Sequence, residues 1–391
     1  MTEFVDRFKE VEEVCKPVDE DNRLLIIYGE SGLGKTSLLK KALENIKQRE
    51  PQPLAFIVNF ESFASEANQR SALLRTMALE SAGVLNYGVW RNEEQAAGQM
   101  IARLNDIVAK RSVYLMFDTT ELLQENTEFW EWMQKYIVEP LVVEGDVKQI
   151  FAGRVPAPLR RGEVGSARKL LQLGPIGPEE EAAALVHNAL KKANPDLDVS
   201  DAAMEQITKH ILEFSFGHPK LTEKIATYVA DRWPFQVMED TGKEICEHVV
   251  KPFIDEVLFE EVEPLWKEIL WWASILDSFS ADILNKYIER VAPDLIADED
   301  DYFFFEGIGK LKTQKTVLWR AEEGESLQGL IRDITEHCFS TLDPKKYQRA
   351  CQAAGETFDA IADEFKPEEP KYVERYQNMA KSHYQKCGDK E

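Results

Sequence analysis

The sequence predicts an α/β amino-terminal half, a doubly wound parallel sheet, followed by a helical carboxyl half. Four short apolar runs carry the first part: "RLLIIYG" (Arg23–Gly29), "LAFIVNF" (Leu54–Phe60), "SVYLMFD" (Ser112–Asp118) and "VKQIFAG" (Val147–Gly153). Runs without a polar alternate face suit strands covered on both sides, and the longer amphipathic stretches between them supply the crossovers. After "QLGPIGPEEEAAAL" (Gln172–Leu185) the strand signal fades, and helical periods are separated by "ANPDLD", "FSFGHP" and "KPF".

The first run opens into "IIYGESGLGKTSLLKKAL" (Ile26–Leu43), which matches G-x-x-x-x-G-K-[ST] at Gly29, Gly34, Lys35 and Thr36, after a strand and before a helix as that motif requires. The stretch Gly29, Glu30, Ser31, Gly32, Leu33, Gly34, Lys35, Thr36 and Ser37 is therefore the candidate phosphate cradle. Its glycines let backbone N–H groups curl around phosphate oxygens, and the positive end of the helix dipole adds to them. Lys35 is placed to neutralise the β/γ charge, and Thr36 to ligate Mg²⁺. This phosphate loop makes the α/β half a P-loop NTPase domain.

A phosphate loop calls for a second strand that ends in a carboxylate. The third run ends in Asp118, placed to hold Mg²⁺ with Thr36, and Glu121 three residues on is the candidate that polarises the attacking water. The fourth run ends in Arg154. At the carboxyl end of a strand in such a sheet an arginine can reach a γ-phosphate.

The helical half divides by its breaks. Pro178 and three glutamates make a helix start. "SFGHPKLTEKIA" (Ser215–Ala226) puts Pro219 in a rigid turn that could cover the adenine face. Three helical patterns and "TVLWRAEEGESLQGLIRDI", read as a hairpin, give a winged-helix arrangement. The expected division is a P-loop NTPase domain at 1–175, a helical domain at 176–250, a winged-helix domain at 251–345, and carboxyl-terminal helices at 346–391 that begin a longer helical region.

Composition narrows the function. With 47 basic and 70 acidic residues the net charge is −23, which repels a polyanion and argues against nucleic acid as a partner. The five cysteines lie far apart without a C-x-x-C pair, as expected of reduced thiols in a cytoplasmic protein. The start "MTEFVDRFKEVEEV" lacks a secretion pattern, and the apolar stretch Pro264–Leu276 is broken by Lys267 and Glu268, so no membrane span is expected. The six histidines form no hydrolase or metal-binding signature.

The order of these motifs resembles the STAND class of P-loop ATPases, switch proteins related to AAA+ machines that include NB-ARC and NACHT regulators. The resemblance covers about Phe4 to Ala360. It implies that "FVDRFKEVEEV" (Phe4–Val14) meets the base through Phe4, Val5 and Arg7, that "IFAGR" is the sensor strand, and that "GHP" with Pro219 is the helical-domain loop. Related regulators carry a histidine where this chain has Gln328 and Gly329, so Gln328 is the candidate contact to the ADP β-phosphate. The resemblance implies an ATP-binding, slowly hydrolysing switch with Mg²⁺, closed with ADP and open with ATP, acting on protein partners or assembling as a nucleotide-dependent homo-oligomer. Arg160 and Arg161 are candidates for an intersubunit or anion contact, with a solvated basic loop the preferred reading.

Two alternatives use the same phosphate loop. A DNA-associated AAA+-type ATPase, initiator-like or archaeal-type, would read duplex DNA with the winged helix, against which stands the acidic stretch Asp294–Asp301. A small-molecule kinase would have no use for the helical and winged-helix extension.

Overall fold

The structure is a computed structural model. It describes residues 7–19, 22–85, 91–143, 147–160, 168–177, 179–197, 200–233, 241–297, 299–300, 302–313, 316–320, 324–365 and 370–388. The chain forms two compact units, Met1–Leu185 and Val186–Glu391.

In the first unit the four expected runs become strands β1 (Leu24–Tyr28), β2 (Leu54–Asn59), β3 (Val113–Asp118) and β4 (Val147–Gly153), and a fifth, β5 (Arg168–Gln172), joins them. All pairings are parallel, in the order β2-β3-β4-β1-β5. Neighbouring residues of a strand point to opposite faces, and each face has its own core. Leu24, Ile26, Phe56, Val58, Leu115, Phe117 and Phe151 lie in one apolar cluster, with residues of α3 (Gln69–Glu80), α4 (Glu93–Val108) and α5 (Thr127–Met133). Leu25, Ile27, Ala55, Met116, Ile150 and Ala152 lie in the other, with residues of α1 (Phe8–Cys15) and α2 (Lys35–Lys47). The sheet is therefore wound on both sides, as the unalternating runs require.

Local chemistry starts the covering helices. Asn68, Asn92 and Asn126 each accept the first-turn N–H of Ser71, Gln95 and Phe129, capping α3, α4 and α5. A π-helical turn, Gln134–Val138, carries α5 into α6 (Glu139–Val143).

The fifth strand lay outside the sequence expectation. It is an edge strand paired only to β1, and most of its side chains are exposed, so "RKLLQ" lacks the apolar density of the others.

The second unit is helical, apart from one hairpin. Helix α7 (Glu179–Ala193) contains the point of division, and α8 (Asp201–Ser215) and α9 (Pro219–Asp231) follow. From α10 (Thr241–Ile245) through α11 (Lys251–Phe253) to Leu258 the chain is continuously helical, with π-helical turns at Cys246–Val250 and Ile254–Leu258. Next come α12 (Pro264–Ala273), α13 (Ala281–Val291) and α14 (Phe303–Thr313), then β6 (Val317–Arg320) antiparallel to β7 (Gly324–Leu327). The segment between α12 and α13 pairs with the hairpin: Phe279 N–H donates to Glu325 O at 2.7 Å and receives the reverse bond at 2.9 Å. Helix α15 (Gly329–Leu342) and the hairpin of α16 (Pro344–Glu364) and α17 (Pro370–Gly388) complete the unit. A single apolar cluster runs through it. Among the described residues no helix is long and apolar enough to cross a membrane.

Candidate nucleotide site

The loop between β1 and α2 is held open by backbone geometry. A Cβ on Gly29 would lie 2.5 Å from Leu173 O, so only glycine passes there. Gly32 and Gly34 have φ of 79° and 87°, left-handed values that a side chain resists, and Gly34 is the residue from which α2 starts. Leu33 is buried. Glu30 and Ser31 are half-buried, whereas Thr36 and Ser37 are exposed.

Lys35 folds back on its own loop, donating to Gly29 O at 2.6 Å and Glu30 O at 2.7 Å. It is 9% exposed, and burial draws its ammonium down to about 8, against the pull of the Glu121 carboxylate. Asp118, at the carboxyl end of β3, is also buried. Burial raises its pKa, opposed by hydrogen bonds from the Thr36 hydroxyl and from Thr119 N–H, the latter 3.0 Å long. Thr36 and Asp118 are thus in contact, a hydroxyl and a carboxylate at the foot of the phosphate loop. This donor set fits a hard divalent cation such as Mg²⁺, which takes oxygen ligands.

Glu121 stands one turn past β3. Thr119 turns the chain there with φ 59°, and the Thr120 hydroxyl donates to Ala152 O at 3.2 Å, binding the turn to β4. Arg154 follows β4 directly. Its N–H donates to Glu121 Oε2 at 3.2 Å, and its guanidinium Nε lies 3.6 Å from Oε1. Lys35 and Thr36 at the start of α2, Asp118 and Glu121 at and past the end of β3, and Arg154 just past β4 are brought together.

Two residues of this arrangement were missed by sequence reasoning. Gly153 has no room for a Cβ, which would overlap the Thr120 hydroxyl and stand 3.1 Å from Glu121 Oε2. The only signal was a glycine before Arg154 at the end of a strand. Lys148, on β4, is fully buried and donates to Glu13 O at 2.9 Å and Lys16 O at 3.2 Å, capping α1, with burial drawing its pKa down to about 8. A lysine inside an apolar strand was the available signal.

Phe4 and Val5 fall outside the described residues, as does Arg161. Arg7 is buried, with φ 62°, and donates to Gly174 O at 2.6 Å while facing Glu10 at 3.5 Å. It ties the entry segment to the chain just beyond Leu173, the residue against Gly29. Arg160 pairs with Glu131. Pro219 and Gln328 belong to the second unit. Pro219 opens α9, where His218 Nδ1 accepts Leu221 N–H at 3.3 Å. Gln328 precedes α15, its N–H donating to Thr316 O at 3.2 Å and its carbonyl accepting Arg332 N–H at 2.9 Å.

Residues 18–156 match the family described as the AAA domain. No curated protein matches the chain. Among solved structures, the chain is similar to the Aeropyrum pernix ORC1 protein in complex with DNA (14% identity, 88% of this chain and 94% of that one, TM-score 0.44). It is also similar to Cdc6p from Pyrobaculum aerophilum (13%, 88% and 98%, 0.41) and to Drosophila ORC bound to DNA (13%, 85% and 93%, 0.42).

These matches correct one expectation. Net charge argued against nucleic acid, yet two of the three matches are described on DNA, so the exclusion is withdrawn. The physical reason is that net charge is a sum over the whole surface, whereas phosphate contacts are made by local patches. The first unit has a P-loop fold on a five-stranded parallel α/β sheet, within which residues 18–156 resemble the AAA domain, and a helical carboxyl-terminal region follows.

Proposed function

We infer that the chain is an adenine-nucleotide-binding P-loop ATPase of AAA+ type, dependent on Mg²⁺. The observation that carries this reading is the meeting of Lys35, Thr36, Asp118, Glu121 and Arg154 around the glycine-rich loop between β1 and α2. Lys35 leaves the loop carbonyls to meet the β- and γ-phosphates, and Gly32, Leu33, Gly34 and Ser37 offer the cradle. Thr36 and Asp118 would hold Mg²⁺, which when bound shields phosphate charge. Glu121 orients the attacking water and accepts its proton. Arg154 is shared between Glu121 and the incoming γ-phosphate, so a triphosphate draws the guanidinium away and frees the carboxylate. Arg7, bonded to Gly174 O in the same unit, meets the base from the entry segment.

The test compares wild type with Glu121→Gln. Retained ATP binding with hydrolysis lowered at least about a hundredfold supports it, within the range for a lost general base. Equal hydrolysis by both proteins removes Glu121 from the mechanism.

For what the ATPase is coupled to, the DNA-associated, initiator-like reading is preferred. Its support is the unit of α12, α13, α14 and the β6–β7 hairpin, with Phe279 pairing to Glu325 as the short first strand of a winged helix does. A protein-directed switch of the STAND kind would use the same chain. Fluorescence anisotropy with a labelled duplex separates the two. Salt-dependent binding retained in ATP supports the DNA reading, and none at low salt favours the switch.

A further inference from the structure

In the second unit a cavity of about 600 Å³ is lined by Trp272, Arg290, Asp343, Lys345, Lys346 and Arg349, among others. Four cations against one carboxylate is an unusual balance in a chain of net charge −23. The carboxylate is already engaged, because Asp343 Oδ1 accepts Lys346 N–H at 2.9 Å as the cap of α16.

The cations are largely uncommitted. Among the described residues the side chains of Lys345 and Arg349 make no ion pair or hydrogen bond. Arg290 reaches Glu356 only at 3.9 Å. Lys346 Nζ sits 4.5 Å over the Trp272 ring, a contact an anion beside it would leave in place. Like charges gathered in a concave wall repel one another, and a multivalent anion relieves that repulsion.

We propose that this cavity binds a small, multiply phosphorylated ligand. Its volume lies within the roughly 300–1,000 Å³ of small-molecule sites. Arg290 and Arg349 offer planar forks that match phosphate oxygens in pairs, and Lys345 and Lys346 add point charges. The Trp272 face is covered by Lys346 and its edge packs against Phe339, with ring centroids 5.4 Å apart, so no aromatic surface is left open to stack a base. That favours a polyphosphate ester without a base over a nucleotide. Arg290, Lys345, Lys346 and Arg349 line one cavity whose volume suits a compact ligand better than a duplex.

The test titrates inositol hexakisphosphate by calorimetry into the full chain carrying Lys35→Ala, and again into wild type saturated with ADP, so that the phosphate loop does not report. One-to-one binding is expected in both. The exposed double variant Lys345→Ala/Arg349→Ala should weaken it at least about tenfold, as loss of two charge-assisted contacts requires. No binding, or equal binding by the double variant, overturns the proposal. A short DNA duplex that binds and loses affinity in the double variant, where inositol hexakisphosphate does not bind, would mark the cavity as a nucleic-acid contact and overturn it too.

Discussion

Arg154 holds Glu121 at two points: its backbone N–H donates to Oε2 at 3.2 Å, and its guanidinium Nε stands 3.6 Å from Oε1. The carboxylate proposed to act on water is thus anchored by the residue proposed to sense the γ-phosphate. Arg154→Ala keeps the backbone bond and removes the guanidinium. ADP affinity should stay within about threefold, while preference for a non-hydrolysable ATP analogue over ADP should fall about tenfold or more. Calorimetry with both nucleotides reads the ratio, and an unchanged ratio would remove Arg154 as a sensor.

Gly153 makes that geometry possible, because a Cβ there would overlap the Thr120 hydroxyl and crowd Glu121. Gly153→Ala should cost roughly 1–3 kcal/mol of stability, the usual range for overpacking. It should also lower hydrolysis more than nucleotide affinity. A melting curve and a turnover assay on the same preparation check both; a variant as active and stable as wild type contradicts the packing argument.

Burial disfavours the Lys35 ammonium and draws its pKa down to about 8. Phosphate restores the charge, so nucleotide binding at about pH 8.5 should take up a proton. Calorimetry in two buffers of different ionisation enthalpy should give different heats there and nearly equal heats at about pH 6.5. For a lysine whose folded pKa is lowered, the charged form is the destabilising one at neutral pH. Lys35→Ala should therefore abolish nucleotide retention without lowering the melting temperature of the nucleotide-free protein.

His383 on α17 is fully buried against Phe358, ring centroids 5.3 Å apart, and neither ring nitrogen has a hydrogen-bond partner among the described residues. Burial holds its pKa down at about 4, with Lys386 and Arg332 adding to the effect and Asp277 opposing it. Since the folded value is below the unfolded one near 6.5, the stability it reports is complete above about pH 6.5 and is lost as pH falls toward 4. At pH 5 the loss is about 2 kcal/mol. His383→Phe should remove that part of the acid sensitivity in urea titrations at pH 7.5 and 5; an equal drop for both proteins would show that His383 is not its source.

Much of this was legible in the sequence, for physical reasons. β1 to β4 are covered on both faces, so their residues read as unbroken apolar runs, and Asp118, Glu121 and Arg154 sit at or just past the ends of two of them. Asp118, Glu121 and Arg154 could be named because a parallel sheet sends its strand ends to one edge. Gly153 and Lys148 could not, since their roles depend on what lies across from them on the β3 turn and α1, which no local period encodes. β5 escaped because an exposed edge strand need not be apolar. The argument from net charge failed because acidity summed over the chain does not report the local patches through which phosphates are met.

The central claim is that one bend of backbone and one buried ammonium grip a nucleotide's phosphates. Titration of ADP with magnesium into the intact chain tests it most directly. The account predicts one nucleotide bound per chain at micromolar affinity and no binding by Lys35→Ala; no heat from wild type at millimolar ADP, or equal binding by both proteins, would contradict it.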